Sequence, residues 1–431
     1  MRSAKQFSLE NPKEFKQKLL YWSKQFREVA WLDSNDYHQE HGKYDAVLAV
    51  TAFTAIKTDY HQAFDKLQEY QQTTKDWIFG YLSYDLKNDV EALSSNNPDG
   101  LGFPDLYFFQ PQKLFFLKGE VLEMHYLRMV DDEIEEDYAE IQELKIDNPR
   151  QKTPNSQQEI QARISKESYL EKVEQMLKHI QRGDIYEANF CQEFFAENRF
   201  IEPVDVFQEL NAISGPPFAT FLRLEEYFLL SASPERYLKK SGIKLLSQPI
   251  KGTARRSEDP KEDQQIAENL ENDPKERSEN VMIVDLVRND LSRIAKRGSV
   301  KVDELCQVYS FKQVHQMIST ISVELEKNIP PVEALRVTFP MGSMTGAPKV
   351  SAMKIIEELE ESKRGLYSGA VGYFTPDGDF DFNVVIRSIL YNAEKKFVSF
   401  SVGGAITAQS NPEKEYEECL LKAKAMRQVL S

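Results

Sequence analysis

Four glutamates fall into two pairs of identical spacing. Glu276 and Glu279 stand three apart in DPKERSENVMIVDLVRND, which runs from Asp273 to Asp290, and Glu415 and Glu418 repeat the interval in NPEKEYEECLLKAKAM, from Asn411. Side chains three apart meet on one side of a helix, so each segment predicts two carboxylates on one face. At ~100° per residue Glu279 also shares the face of Met282, Ile283 and Leu286, the apolar stripe expected to turn inward. A carboxylate there is costly unless paired or bound to a cation. Ordinary readings stand beside this one. Asp273-Pro274 is a helix start, and Glu276 could simply complete a capping box. Glu415, Glu418 and Lys422 could form a charged, solvated helix face. Two helices each offering a glutamate pair could instead hold a hard divalent cation, and oxygen ligands suit Mg²⁺ better than zinc.

A second group centres on Lys251 in QPIKGTARR. Gln248 to Ile250 reads as a strand end and Gly252-Thr253 as a tight turn. A lysine there is either solvated or, if desolvated near other cations, a nucleophilic amine. Glu235 in SASPERY is either a turn residue or a general acid. The loop from Gly342 to Lys349 (GSMTGAPK) leads into a helix whose N-terminus could face an anion, yet Ala-Pro between the second glycine and the lysine departs from a phosphate-cradling P-loop. No GxGxxG, HExxH or GxSxG occurs, which disfavours dinucleotide, zincin and serine-hydrolase chemistry.

The elements that must position these groups follow from composition and patterning. The chain has 431 residues, a formal charge of −15, 41% hydrophobic and 29% charged residues. That supports a large core and excludes low-complexity or disordered chains. Such acidity argues against nucleic acid and anionic membranes as partners. Cys191, Cys306 and Cys419 lack paired spacing, so neither disulfides nor thiolate zinc are indicated. Without a signal-like N-terminus or a membrane-length apolar run, the expectation is a soluble cytoplasmic protein. The polar stretch 145–161 reads as a connection, and the acidic run Asp131 to Asp137 as solvent-facing. These divide the chain into an N-terminal region, 1–150, and a catalytic region, 165–431. Adjacent strand candidates joined by short turns, such as Thr375 to Asp379, favour antiparallel pairing and an α+β class.

Taken together, the segments GDIYEANFCQ, SASPERY, PIKGT, ERSENVMIVDLVRND, FPMGSMTGAPK, FNVVIRS, GGAIT and EYEECLLKAKAM resemble, in order, the chorismate-utilising enzymes. The resemblance spans about 165–431. It implies a large αββα sandwich of mainly antiparallel sheets with flanking helices and chorismate between the sheets. It implies Mg²⁺ on Glu279 and Glu418, with Glu276 and Glu415 as metal-site or water-bridging partners. Arg387 and Tyr367 would grip the enolpyruvyl carboxylate, Gly404 would add backbone contacts, and Lys422 would lie near the ring carboxylate. His315 matches a family active-site histidine, and Thr345 lies in the loop lining the pocket.

Within the family, Lys251 resembles the covalent nucleophile of the aminodeoxychorismate synthase component I branch, where anthranilate synthases carry Ala. Ser343 resembles the same branch, since anthranilate synthases usually carry Thr. Glu187 aligns with the water-activating Lys of isochorismate and salicylate synthases, which argues against water as nucleophile. Gln is the usual residue there in the ammonia-using branches, so Glu187 departs from both patterns. The implied reaction is amination of chorismate at carbon 4, with Glu235 as acid, serving p-aminobenzoate and folate synthesis. The implied partner is a separate glutamine amidotransferase subunit supplying ammonia, since no glutaminase segment is visible. The alternative is anthranilate synthase component I. Trp31-Leu32-Asp33-Ser34 is the nearest counterpart of the segment that holds tryptophan in related enzymes, and feedback by tryptophan is not expected.

Overall fold

The structure, a computed structural model, describes residues 2–37, 42–146 and 158–431. Most of the polar connection at 145–161 lies outside the described residues. Among the described residues all strand pairings are antiparallel, and they join two extended sheets. In the first, the long strand Ala46–Thr58 pairs with Glu28–Asp33. The order then continues through Phe218–Leu224, Tyr227–Ser233, Ser388–Asn392 and Phe397–Thr407 to Glu187–Ala196. In the second, Leu106–Lys118 pairs with Ile78–Leu82. The order then continues through Ala370–Phe374, Phe380–Val384, Arg236–Ser241 and Lys244–Gln248 to Val314–Glu324. The seam is the pair Ala46–Thr58 and Leu106–Lys118, which run along each other for most of their length with one bulge. Strands from both sides of the 145–161 connection therefore share each sheet.

Alternation along the strands sets the layers. In Glu28–Asp33, Val29 and Trp31 enter the core beneath the helices Pro12–Trp22, Lys166–Arg182, Pro203–Ser214 and Pro412–Val429, while Ala30 faces the second sheet. The second sheet is apolar on both faces. Its outer side carries the helices Ala63–Thr74, Pro274–Ser292 and Pro331–Thr338 through Phe64, Leu67, Ile283, Val284 and Val332. The result is the expected αββα sandwich. Among the described residues no helix is long and apolar enough to cross a membrane.

Three local expectations are corrected. The acidic run 131–137 is not wholly solvated, because Asp137 is buried and accepts from Tyr126 and Lys113. The apolar run FNVVIRSILYN, which reads as one strand candidate in the sequence, is two strands, Phe380–Val384 and Ser388–Asn392, interrupted at Arg387, whose φ of 52° leaves the extended region. Gly252-Thr253 is not a tight turn. Both residues lie in the strand Ile250–Arg255, whose register shifts against Val314–Glu324 between Ile250 and Thr253, and Gly252 has φ 97°. Glycine adopts that conformation without a Cβ penalty, so it makes a bulge rather than a reversal.

Candidate active site

Two chain segments cross from one sheet to the other at the same place. Tyr227–Ser233 belongs to the first sheet and Arg236–Ser241 to the second, so the chain changes sheets at Ser233 to Glu235. Phe380–Val384 and Ser388–Asn392 make the reverse passage at Val385 to Arg387. The crossings are stitched by Val384 N–H donating to the Glu235 carbonyl at 3.0 Å and Ala232 N–H to the Arg387 carbonyl at 3.1 Å. Glu235 and Arg387 thus project from paired breaks in the sheet, where side chains are free of the ladder's alternation. Arg387 occupies the left-handed region, a strained conformation for a non-glycine residue.

Glu235 is only 5% exposed and accepts from Ser343 Oγ at 2.6 Å. Burial pushes its carboxyl up to about 7, against the Ser343 hydrogen bond and the charge of Lys251. A carboxyl titrating there can act as an acid near neutrality. Its hydrogen bond also gives the Gly-Ser-Met loop a physical role. Gly342 packs against Leu286 of the Pro274–Ser292 helix, and Gly346 lies against the backbone of Glu187 and Ala188, contacts that a Cβ would close. Lys349, at the end of that loop, is tied to Asp290 at 2.6 Å and to the Thr338 carbonyl. This ion pair replaces any phosphate-loop role.

Lys251 sits in the bulge. Two residues there, Lys251 and Gly252, face the single position Met317, which takes the carbonyls of Lys251 and Met317 out of ladder register. The buried carboxamide of Asn280 donates to both, at 3.1 and 3.3 Å, and its oxygen accepts from Ser319, which in turn accepts from the Cys306 N–H. Asn280 is one residue from Glu279 on the same helix. The nucleophile candidate and two of the four metal-ligand candidates, Glu276 and Glu279, are therefore held by one element. The buried face of that helix is Asn280, Ile283, Val284 and Val287, so Glu279 stands at its edge with Met282 and Leu286 rather than at its centre.

Both glutamate pairs act on the charge of a fifth residue, Lys275. It lies 3.7 Å from Glu279, and its ammonium is held above the usual lysine value, against desolvation, by Glu279, Glu415, Glu276 and Glu418 in that order. Glu276 reaches the backbone of Gly252, whose absent Cβ would lie 3.2 Å from its Oε2. Burial raises the Glu276 carboxyl, and the charge of Glu279 raises it further. Gly404 faces the other pair, with Glu415, Glu418 and Lys422 within 3.4–3.7 Å of the position a Cβ would take. Lys422 donates to the Gly403 carbonyl at 2.8 Å and pairs with Glu418 at 2.7 Å. Among the described residues no three His, Cys, Asp or Glu side chains converge as ligands on one point. Carboxylate oxygens are the donor chemistry that a hard divalent ion takes, and Lys275 is a cation that faces both pairs.

The remaining candidates divide. Tyr367 is buried, with its hydroxyl 3.5 Å from Cys191 Sγ, and lies near Arg387. The Thr345 hydroxyl turns back onto the Met341 and Gly342 carbonyls. His315 is fully committed to neighbours, Nε2 to Asp263 at 3.0 Å and Nδ1 to Ser310 at 2.8 Å. Its ring faces these rather than the glutamates. Sequence reasoning missed Asn280, Lys275 and the buried pair Arg364–Glu360. Arg364 donates to the Met344 and Asn189 carbonyls, and Glu360 accepts from the Cys191 N–H. The pairs Lys275–Glu279 and Glu360–Arg364 are spaced i, i+4 and could have been noticed, whereas the contacts of Asn280, Arg364 and Glu360 with Lys251, Met317, Asn189 and Cys191 join residues distant along the chain.

The sequence matches the family model described as chorismate binding enzyme over residues 18–428. It is 36% identical over 355 residues to anthranilate synthase component 1 of Thermus thermophilus, covering 81% of this chain and 76% of that protein. It is 43% identical over 258 residues to aminodeoxychorismate synthase component 1 of Escherichia coli, covering 60% of this chain and 56% of that protein, so this match spans about half of the relative. Anthranilate synthase component I of Streptococcus pneumoniae superposes with a TM-score of 0.78 at 25% identity, over 91% of this chain and 93% of that one. The menaquinone-specific isochorismate synthase of Escherichia coli shares the fold with a TM-score of 0.79 at 18% identity, over 100% of this chain and 94% of that one.

Proposed function

Since the chain belongs to the family of chorismate-binding enzymes, we propose that it aminates chorismate at carbon 4, giving 4-amino-4-deoxychorismate. The observation that carries this reading is Lys251, whose backbone carbonyl is held in a bulge by Asn280 and whose side chain lies near enough to Glu235, Glu187 and Glu418 to act on their charges. An enzyme that adds ammonia directly at carbon 2, as an anthranilate synthase does, has no use for a second nitrogen nucleophile at this position.

The Lys251 nitrogen pair forms a bond to carbon 2, the ring double bond shifts, and the carbon 4–oxygen bond breaks as Glu235 gives its proton to the departing hydroxyl. Ammonia then bonds to carbon 4, the double bond shifts back, and the bond between carbon 2 and Lys251 breaks with its electron pair returning to lysine. Arg387 and Tyr367 orient the enolpyruvyl carboxylate, and Lys422 neutralises charge near the ring carboxylate. Mg²⁺, held by Glu279 and Glu418 with Glu276 and Glu415, would withdraw charge through the ring carboxylate. Pyruvate is retained, so p-aminobenzoate needs a separate lyase, and a glutamine amidotransferase subunit is the natural source of ammonia.

Anthranilate synthase component I is the second reading. It is favoured by the longer alignment with the Thermus enzyme and disfavoured by Lys251 and Ser343. Product identification with ammonium as nitrogen source separates the two.

A further inference from the structure

Arg364 has no role in the reaction as written, yet every N–H its guanidinium offers is taken up inside the protein. Arg364 and Glu360 are both buried. Nε donates to Glu360 Oε2 at 2.9 Å and Nη2 to Oε1 at 2.6 Å, a planar fork on one carboxylate. Nη2 also donates to the Asn189 carbonyl at 2.7 Å. Nη1 donates to the Met344 carbonyl at 2.7 Å and to Ser368 Oγ at 3.5 Å. Glu360 Oε1 accepts in addition from the Cys191 N–H at 2.9 Å. The ring of Tyr84, from the N-terminal region, stacks on the guanidinium with 4.5 Å between their centres. The titratable groups facing Arg364 are Cys191, Glu360, Tyr84 and Tyr367.

A buried ion pair is a poor source of stability, because desolvating both charges offsets most of their attraction. What a guanidinium supplies is geometry, since its donors are fixed in one plane. The segments it fixes here are walls of the site. Asn189 donates from its carboxamide to the Ser343 carbonyl at 3.2 Å and from its N–H to the Thr345 carbonyl at 2.7 Å. Arg364 holds the carbonyl between them, that of Met344, and also the carbonyl of Asn189 itself. Three consecutive carbonyls of the loop are thus held by two residues that hold each other. Ser343 donates its hydroxyl to Glu235 at 2.6 Å from this fixed backbone.

We propose that Arg364 is the positioning residue of the acid, its fork spacing the strand Glu187–Ala196 from the Gly-Ser-Met loop so that Ser343 meets Glu235. The inference rests on the reading of Glu235 as the acid of the proposed reaction. A lysine at position 364 keeps the charge that Glu360 faces. Its ammonium cannot hold Glu360, Asn189 and Met344 in one plane, so the loop loses its spacing and Ser343 its aim. The charged group facing Glu235 is Lys251, which that substitution leaves in place.

The pH dependence of kcat/KM is measured on the whole chain with chorismate and Mg²⁺, the concentration of neutral ammonia being held constant across the range. Four proteins are compared: wild type, Arg364→Lys, Ser343→Ala and the double variant. The alkaline limb of Arg364→Lys should move upward by about one pH unit, as that of Ser343→Ala does, because both lose the same hydrogen bond. The double variant should move no further. General loosening of the fold would lower activity and Tm without moving the limb, so an Arg364→Lys limb at the wild-type pH overturns the assignment. Shifts that add in the double variant also overturn it, since they make the two residues independent. Where Arg364→Lys does not accumulate as folded protein, Glu360→Gln carries the same comparison. It keeps an acceptor for the Cys191 N–H while releasing one side of the fork, and its limb should move in the same direction. A wild type that makes no carbon-4 product defeats the functional reading itself, whereas a carbon-4 product with an unmoved limb in the variant defeats the role of Arg364 alone.

Discussion

The carboxamide of Asn280 donates to the backbone carbonyl of Lys251 at 3.1 Å, from the helix turn that also carries Glu276 and Glu279. The strand bulge creates an unpaired carbonyl, and the helix answers it with a buried donor. Nucleophile and metal-ligand candidates are thereby fixed in one frame before substrate arrives, which is where orientation lowers a barrier.

Asn280→Ala leaves the Lys251 and Met317 carbonyls and the Ser319 hydroxyl without their partner. It should cost about 3 kcal/mol of stability in urea unfolding and lower turnover by about 100-fold. Asn280→Asp keeps an acceptor for Ser319 but loses both donors, so its loss of turnover should match that of the alanine variant. An Asp variant with wild-type turnover would remove the donors from the account.

Lys251→Ala should reduce carbon-4 amination by at least about 10³-fold while leaving Mg²⁺ binding intact, since the glutamates are untouched. Intact-protein mass spectrometry of wild type quenched during turnover should reveal a chorismate-derived adduct that Lys251→Ala lacks.

Glu235 must carry a proton to act as acid, so kcat/KM should fall as pH rises through about 7. Ser343→Ala removes the donor that favours the carboxylate and should move this limb upward by about one pH unit. Stability follows the same sign. The folded state holds the Glu235 proton more tightly than the unfolded chain, so stability is full below the ordinary glutamate range and declines as pH rises to about 7. Glu235→Gln should therefore match wild type near pH 4 and exceed it at pH 8 by on the order of 3 kcal/mol.

Much of this site is legible in the sequence because its chemistry travels in short motifs. The paired glutamates, Lys251, Glu235 and Arg387 each lie in segments whose spacing or resemblance marks them. The antiparallel sandwich also follows from hairpin spacing and the same resemblance. What cannot be read is how chain breaks coincide. That Glu235 and Arg387 project from two adjacent sheet crossings depends on pairing between residues some 150 positions apart. The bulge at Gly252 looks like a turn because glycine serves both. His315 is marked by its motif, while its hydrogen bond to Asp263, 52 positions away, is not legible in the sequence.

Lys275 competes with any cation bound by the four glutamates. Lys275→Met should therefore lower the Mg²⁺ concentration for half-saturation, and Glu279→Gln should raise it by about tenfold or more. Calorimetric Mg²⁺ titration of each protein checks both directions, and an unchanged affinity in Glu279→Gln would take Glu279 out of the metal site.

The most direct test of the functional reading is the product. The purified chain would be given chorismate, Mg²⁺ and ammonium, with and without an aminodeoxychorismate lyase, and its products identified by chromatography and mass spectrometry. p-Aminobenzoate that appears only with the lyase is the predicted result. Anthranilate formed without the lyase would contradict it and assign the Lys251 amine some other task.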